Sequence, residues 1–161
     1  MTKNAASRYL AEVTPRLERL AREADAGSFD AACDLIVESL QAGGVLQAFG
    51  TGHSEAFAME IAGRAGGLIA TNRIALRDIV LHGSRDVSVL SGASLERDPS
   101  VVDEVFDVSL VNPADIFLIA SNSGGNGAAP TINAQNFHPN SLCTRRYIHQ
   151  RFTQCVPGGG A

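Results

Sequence analysis

Lysine occurs once in the 161 residues, at Lys3, and no glycine is followed by one. A nucleotide-binding P-loop needs a lysine directly after its last glycine, so that phosphate site is excluded. The scarcity extends to positive charge in general: the net charge is −4 and Lys and Arg form no stripe. Nucleic-acid backbone binding relies on clustered cations, so no nucleic-acid partner is expected. No apolar run approaches the roughly 20 residues of a membrane span. The start, Met1-Thr2-Lys3-Asn4, lacks the apolar core of a signal peptide, so a cytoplasmic location without membrane contact is expected. Cysteine is sparse too. Cys33, Cys143 and Cys155 are odd in number and form no CxxC or CxxH pair, which leaves no disulfide framework or zinc site and no expected metal or cofactor.

What the chain does have is two loops of one kind. Gly50-Thr51-Gly52-His53-Ser54 follows the apolar run 45–49, and Ser121-Asn122-Ser123-Gly124-Gly125-Asn126 follows the apolar run 116–120. Glycines let the backbone turn its N–H groups toward an anion, and Ser and Thr hydroxyls add neutral donors, a chemistry suited to a phosphate on an otherwise neutral ligand. A dinucleotide fingerprint is not formed, because Glu55 occupies the position of its third glycine and its charge disfavours a pyrophosphate.

The rest of the pattern predicts strands alternating with helices. Ser28 is a candidate cap for a helix carrying Phe29, Ala32, Cys33, Ile36 and Leu40, closed by Gly43-Gly44. Before it, Tyr9, Val13, Leu17, Leu20 and Ala24 also recur at helical spacing. Pro15 there either occupies the first turn of a helix capped by Thr14 or kinks a longer one. A strand over 45–49, a helix over 55–65 and a strand at 68–70 after Gly66-Gly67 form one repeating unit. Asp98-Pro99 opens a helix running to Leu110, and Asn112-Pro113 turns the chain into the strand 116–120. Residues 87–90 could be a further strand, and 76–82 show no period. Parallel strands joined through helices are implied. In such sheets ligands bind beyond the strands' carboxyl ends, where both loops are expected.

The paired motifs resemble the SIS (sugar isomerase) domain family over roughly residues 5–128. The stretch FGTGHSEAFAMEIAGRAGG, from Phe49 to Gly67, is similar to uncharacterised bacterial members and to phosphoheptose isomerases. The resemblance implies an α/β, flavodoxin-like parallel sheet flanked by helices. It further implies a phosphorylated sugar as ligand, with Gly50, Thr51, Gly52, Ser54, Ser121, Asn122, Ser123, Gly124 and Asn126 in the phosphosugar site. Asn126 stands where the family often has Thr. For aldose–ketose isomerisation, which needs a base and a group that polarises the carbonyl, the candidates are Glu60 and His53. Glu60 resembles in position the glutamate that acts as base in phosphoheptose isomerases; lying four residues before Arg64, it could equally be a paired surface carboxylate. His53 could touch ligand oxygens or hydrogen-bond the backbone, and His82 is a loop candidate for acid–base work.

Composition changes near residue 128. All 17 acidic residues lie between Glu12 and Asp115, whereas Arg145, Arg146 and Arg151 follow. Pro130 arrives where a helix should continue, and residues 133–140 carry no apolar period. The expected organisation is therefore a partial SIS domain over 1–128, incomplete at its carboxyl end, and an atypical tail over 129–161. That tail is either disordered, frameshifted or a basic segment that meets an acidic partner. Three functions follow: a sugar-phosphate isomerase, a non-catalytic sugar-phosphate sensing module, or an inactive remnant. A homodimer or higher homo-oligomer is expected, because an incomplete sheet leaves strand edges open.

Overall fold

The computed structural model describes residues 4–121 and 146–149. The chain divides into two units, Met1–Leu35 and Ile36–Ala161.

The first unit holds helix α1 (Ala5–Asp25) and the start of α2 (Asp30–Gln41). Asn4 caps α1, its side chain accepting from the Ser7 N–H at 2.8 Å, which stands in for a missing intrahelical partner. Pro15 lies inside this one helix rather than in the first turn of a helix capped by Thr14. Glu12 with Arg16 and Arg19 with Glu23 pair at i, i+4 along its surface. No residue of α1 is buried. The expected cap at Ser28 is displaced for a physical reason. The Ser28 N–H closes α1 on the Glu23 carbonyl, Gly27 adopts φ +78, and the Gly27 carbonyl receives the Asp30 N–H that starts α2.

The second unit is built on a parallel sheet of β1 (Leu46–Gly50), β2 (Thr71–Ile74), β3 (Ile116–Ala120) and β4 (Arg146–His149), in the order β2-β1-β3-β4. Alternation places Phe49, Ile74, Phe117 and Ile119 on one face. They are buried against Ile79 of α4 (Asp78–Leu81) and Val101, Val102 and Val105 of α5 (Val101–Asp107). Phe106 meets Phe117 edge to face at 5.8 Å. The other face carries Leu46, Ala48 and Ile116, and α3 (Glu55–Gly63) packs on the sheet with Ala58 fully buried. Helices thus flank a parallel sheet, the α/β arrangement expected.

Three elements differ from the sequence reading. The second strand begins at Thr71, three residues late: Ile69 is 97% exposed, and the Thr71 hydroxyl and N–H both fold back on the preceding turn, to the Leu68 and Ile69 carbonyls. Residues 87–90 form a 3-10 turn capped by Asp86, not a strand. Helix α5 stops at Asp107 rather than Leu110, because the Ser109 hydroxyl takes the Val105 carbonyl and draws the chain out of the helix.

Asp115, 2% exposed, ties the strands together at their amino ends. Its carboxylate accepts from the Val45 N–H, the Gln47 side-chain amide and the Asn112 N–H at 2.7 to 2.9 Å. Gln47 in turn accepts from Asn72 on β2. Strand β4 lies within the stretch 129–161 that was expected to stand apart, and it pairs in parallel with β3 from Ile116↔Arg146 to Ile119↔His149. The other residues of that stretch lie outside the described residues.

Candidate functional site

The site begins from strand order. From β1 the chain crosses through α3 to β2 on one side, while β3 lies on the other, so the order reverses between β1 and β3. Such a reversal opens a crevice beyond the strands' carboxyl ends. In register, Gly50 is the partner of Ala120. The two loops of the sequence therefore leave neighbouring strands at one level.

The first loop is dictated by its glycines. A side chain at Gly50 would collide with the backbone of Ser54, so the loop folds back only with glycine there. Thr51 is extended and buried, and Gly52 has φ +55, a left-handed conformation that costs other residues energy. Gly52–Ser54 form a 3-10 turn closed by the Ser54 N–H on the Thr51 carbonyl at 3.1 Å, and α3 starts at Glu55. Ser54 is half-buried at the entrance of α3, and its side chain makes no capping hydrogen bond there. His53 is exposed.

The second loop opens with Ser121, half-buried, directly after Ala120. Asn122, Ser123, Gly124 and Asn126 lie outside the described residues. The structure therefore brings Gly50, Thr51, Gly52, Ser54 and Ser121 to one end of the sheet. Glu60 lies farther along α3, 62% exposed in its side chain, and receives a hydrogen bond from Arg64 at 2.5 Å. His82 follows α4, and its N–H donates to the Asp78 carbonyl.

Two features at this end had no signal in the sequence beyond their charge. Glu96, in the 3-10 turn Leu95–Arg97, brings a carboxylate oxygen to 2.8 Å from where a Cβ on Gly52 would be. Glu55, the residue after Ser54, is enclosed by two guanidinium groups: Arg77 donates to it from Nε at 3.1 Å and from Nη2, and Arg73 Nη1 lies at 3.6 Å. Hydrogen bonding to Glu55, and then its charge, hold the Arg77 proton more tightly than usual. The negative charge that argued against a dinucleotide pyrophosphate at the first loop is thus paired with arginines. Among the described residues no cluster of His, Cys, Asp and Glu could hold a metal ion, and no helix is long and apolar enough to cross a membrane.

Comparison with known proteins agrees with this geometry. A family model for the SIS domain matches residues 8–134. A UPF0309 protein of Streptomyces avermitilis is 36% identical over 131 residues, covering 81% of this chain and 51% of its own length. One from Brucella ovis is 36% identical over 121 residues, 75% of this chain and 48% of its own. One from Caldanaerobacter subterraneus is 29% identical over 155 residues, 93% of this chain and 61% of its own. The chain spans about half the length of the curated relatives it matches. With the family model covering most of its residues, the chain belongs to the SIS domain family.

Proposed function

We propose that this chain binds a phosphorylated sugar between its two loops, holding the phosphate by neutral donors. The observation that carries the reading is the register of Gly50 with Ala120, which supports convergence of both loops on one crevice at the reversal of strand order. Ser54 adds a hydroxyl that does not cap α3, at the entrance of a helix where N–H groups and the helix dipole favour an anion. Ser121 begins the second arm, and Asn122, Ser123, Gly124 and Asn126 complete it in this reading. Glu96, close to Gly52, adds a carboxylate beside the first loop in this reading.

Binding is the proposal and isomerisation its extension. Glu60 would act as base only after leaving Arg64, and His53 would supply the second group. Each hydrogen bond to a charged phosphate oxygen contributes about 1.5 to 3 kcal/mol. Ser54→Ala and Ser123→Ala are each expected to weaken binding of a sugar phosphate about tenfold or more, measured by ligand-induced thermal shift. Unchanged shifts in both variants would contradict the assignment. Proton exchange at the carbon beside the carbonyl, followed by NMR in deuterated water, tests the extension: exchange lost in Glu60→Gln supports it, and no exchange in the parent protein leaves binding alone.

A further inference from the structure

A cleft of about 810 Å³ opens at the amino ends of the strands, the end opposite the two loops: Val45 precedes β1, Thr71 begins β2 and Asn112 precedes β3. Its volume falls within the range of small-molecule pockets, about 300 to 1,000 Å³. Asn72 and Gln47 lie on the sheet face that carries Phe49 and Ile74, the face covered by α4, and the Asn72 side chain donates to Gln47 there at 2.8 Å. Asp78 and His82 come from the start and the end of α4, four residues apart and so side by side. All four residues line the cleft, with Val108 and Leu110 as apolar wall.

Asp78 is the group there that the fold leaves unexplained. It is 8% exposed, and its Oδ2 accepts from the Ala75 N–H at 2.8 Å. Among the described residues its Oδ1 receives no hydrogen bond, and no cation pairs with the carboxylate, because Arg73 and Arg77 both turn to Glu55. A buried charge without a counter-ion is costly, so such carboxylates are ordinarily paired. Asn72 spends an N–H on Gln47, and among the described residues its carbonyl oxygen accepts nothing. The neutral ring of His82 adds a nitrogen acceptor. The open groups of this cleft are therefore acceptors, one of them a buried anion.

We propose that this cleft is a second ligand site, which takes a primary ammonium group carried on a short apolar body. An ammonium has three N–H donors and no acceptor, which matches the Asp78 carboxylate, the Asn72 carbonyl and the His82 nitrogen. The contact to Asp78 is charge-assisted and supplies the missing counter-ion. Val108 and Leu110 cover the apolar body. A phosphate or carboxylate is repelled by Asp78, so the ligand of this cleft is not the sugar phosphate. The inference is independent of the reading of the two loops, none of whose residues lines the cleft.

The test is amide NMR of the full chain titrated with butylammonium chloride, with butanol and potassium chloride as matched controls for the apolar body and for a plain cation. Butylammonium is expected to give saturable shifts at Asn72, Asp78 and His82 while Gly50–Ser54 stay silent, and neither control should reproduce them. Asp78→Asn keeps an oxygen for the Ala75 N–H and removes the charge; it should weaken binding about tenfold or more, the scale of one charge-assisted hydrogen bond. His82→Ala, at an exposed residue, should weaken it less and decides the matter if Asp78→Asn fails to fold. No shift with butylammonium up to tens of millimolar overturns the site. Equal shifts with butanol or potassium overturn the ammonium assignment, as does binding that a folded Asp78→Asn leaves unchanged or, failing that variant, one that His82→Ala leaves unchanged.

Discussion

At the scale of residues, the first loop is fixed by what glycine permits and by what crowds it. Gly50 admits no side chain against Ser54, and Gly52 combines φ +55 with the nearby Glu96 carboxylate. The glycines were legible in the sequence as a turn after an apolar run, but one such turn says little, since glycine turns after strands are common for steric reasons; it was the second loop of the same kind that pointed to a site. Glu96, Arg73 and Arg77 were not legible, since each reaches the site through tertiary packing and no local spacing marks them. Charge also acts locally elsewhere. Hydrogen bonds from the side chain and backbone of Ser88 hold the Asp86 carboxyl below its ordinary value of 3.8, those from Ser100 do the same for Asp98, and Arg85 lowers Glu104. A depressed carboxyl stabilises the folded state above its ordinary pKa, and the contribution is lost as pH falls through the lower folded value. Urea midpoints are therefore expected to drop between pH 5 and pH 3, roughly the carboxylate range. Asp86→Asn with Asp98→Asn should make that drop smaller; an identical drop would contradict the assignment.

At the scale of elements, strands β1 and β3 and helices α3 and α5 were readable from their apolar spacing, although neither helix carries a side-chain cap and α5 ends before Leu110. The start of β2 was not, because Leu68, Ile69 and Ala70 carry a strand-like composition yet belong to the turn that precedes it. Residues 87–90 misled for the same reason: a short apolar run does not distinguish a strand from a 3-10 turn. Asp115 carried no role in the sequence reading, whereas it is a buried carboxylate with three donors from two segments. Replacing it leaves those donors without a partner, at about 1 to 3 kcal/mol for each group that stays buried. Asp115→Ala is expected to cost about 3 kcal/mol or more in urea denaturation. A loss under about 1 kcal/mol, within the ordinary range of surface substitutions, would show that water replaces the carboxylate.

At the scale of the whole molecule, α1 has no buried residue and leaves Tyr9, Leu10, Leu17 and Leu20 exposed. A helix with an apolar stripe of this kind draws its stability from a partner surface rather than from propensity. We propose a second copy of the chain as that partner; light scattering at tens of micromolar protein should give a dimer, and a monomer would contradict it. The carboxyl-terminal stretch was read from composition as separate. Its strand β4 pairs with β3, and the alignment with the Caldanaerobacter subterraneus relative covers 93% of this chain and so enters that stretch. Missing acids describe side chains, and Pro130 removes a backbone donor only at its own position, whereas the parallel ladder is made by the backbone of Arg146–His149.

The central claim is that two neutral loops at the reversal of strand order hold the phosphate of a sugar. Calorimetry comparing phosphorylated hexoses and heptoses with their unphosphorylated parents tests it most directly. The account expects saturable binding of at least one phosphorylated sugar and none of its parent. Equal binding of the two, or none by either across the panel, would contradict it.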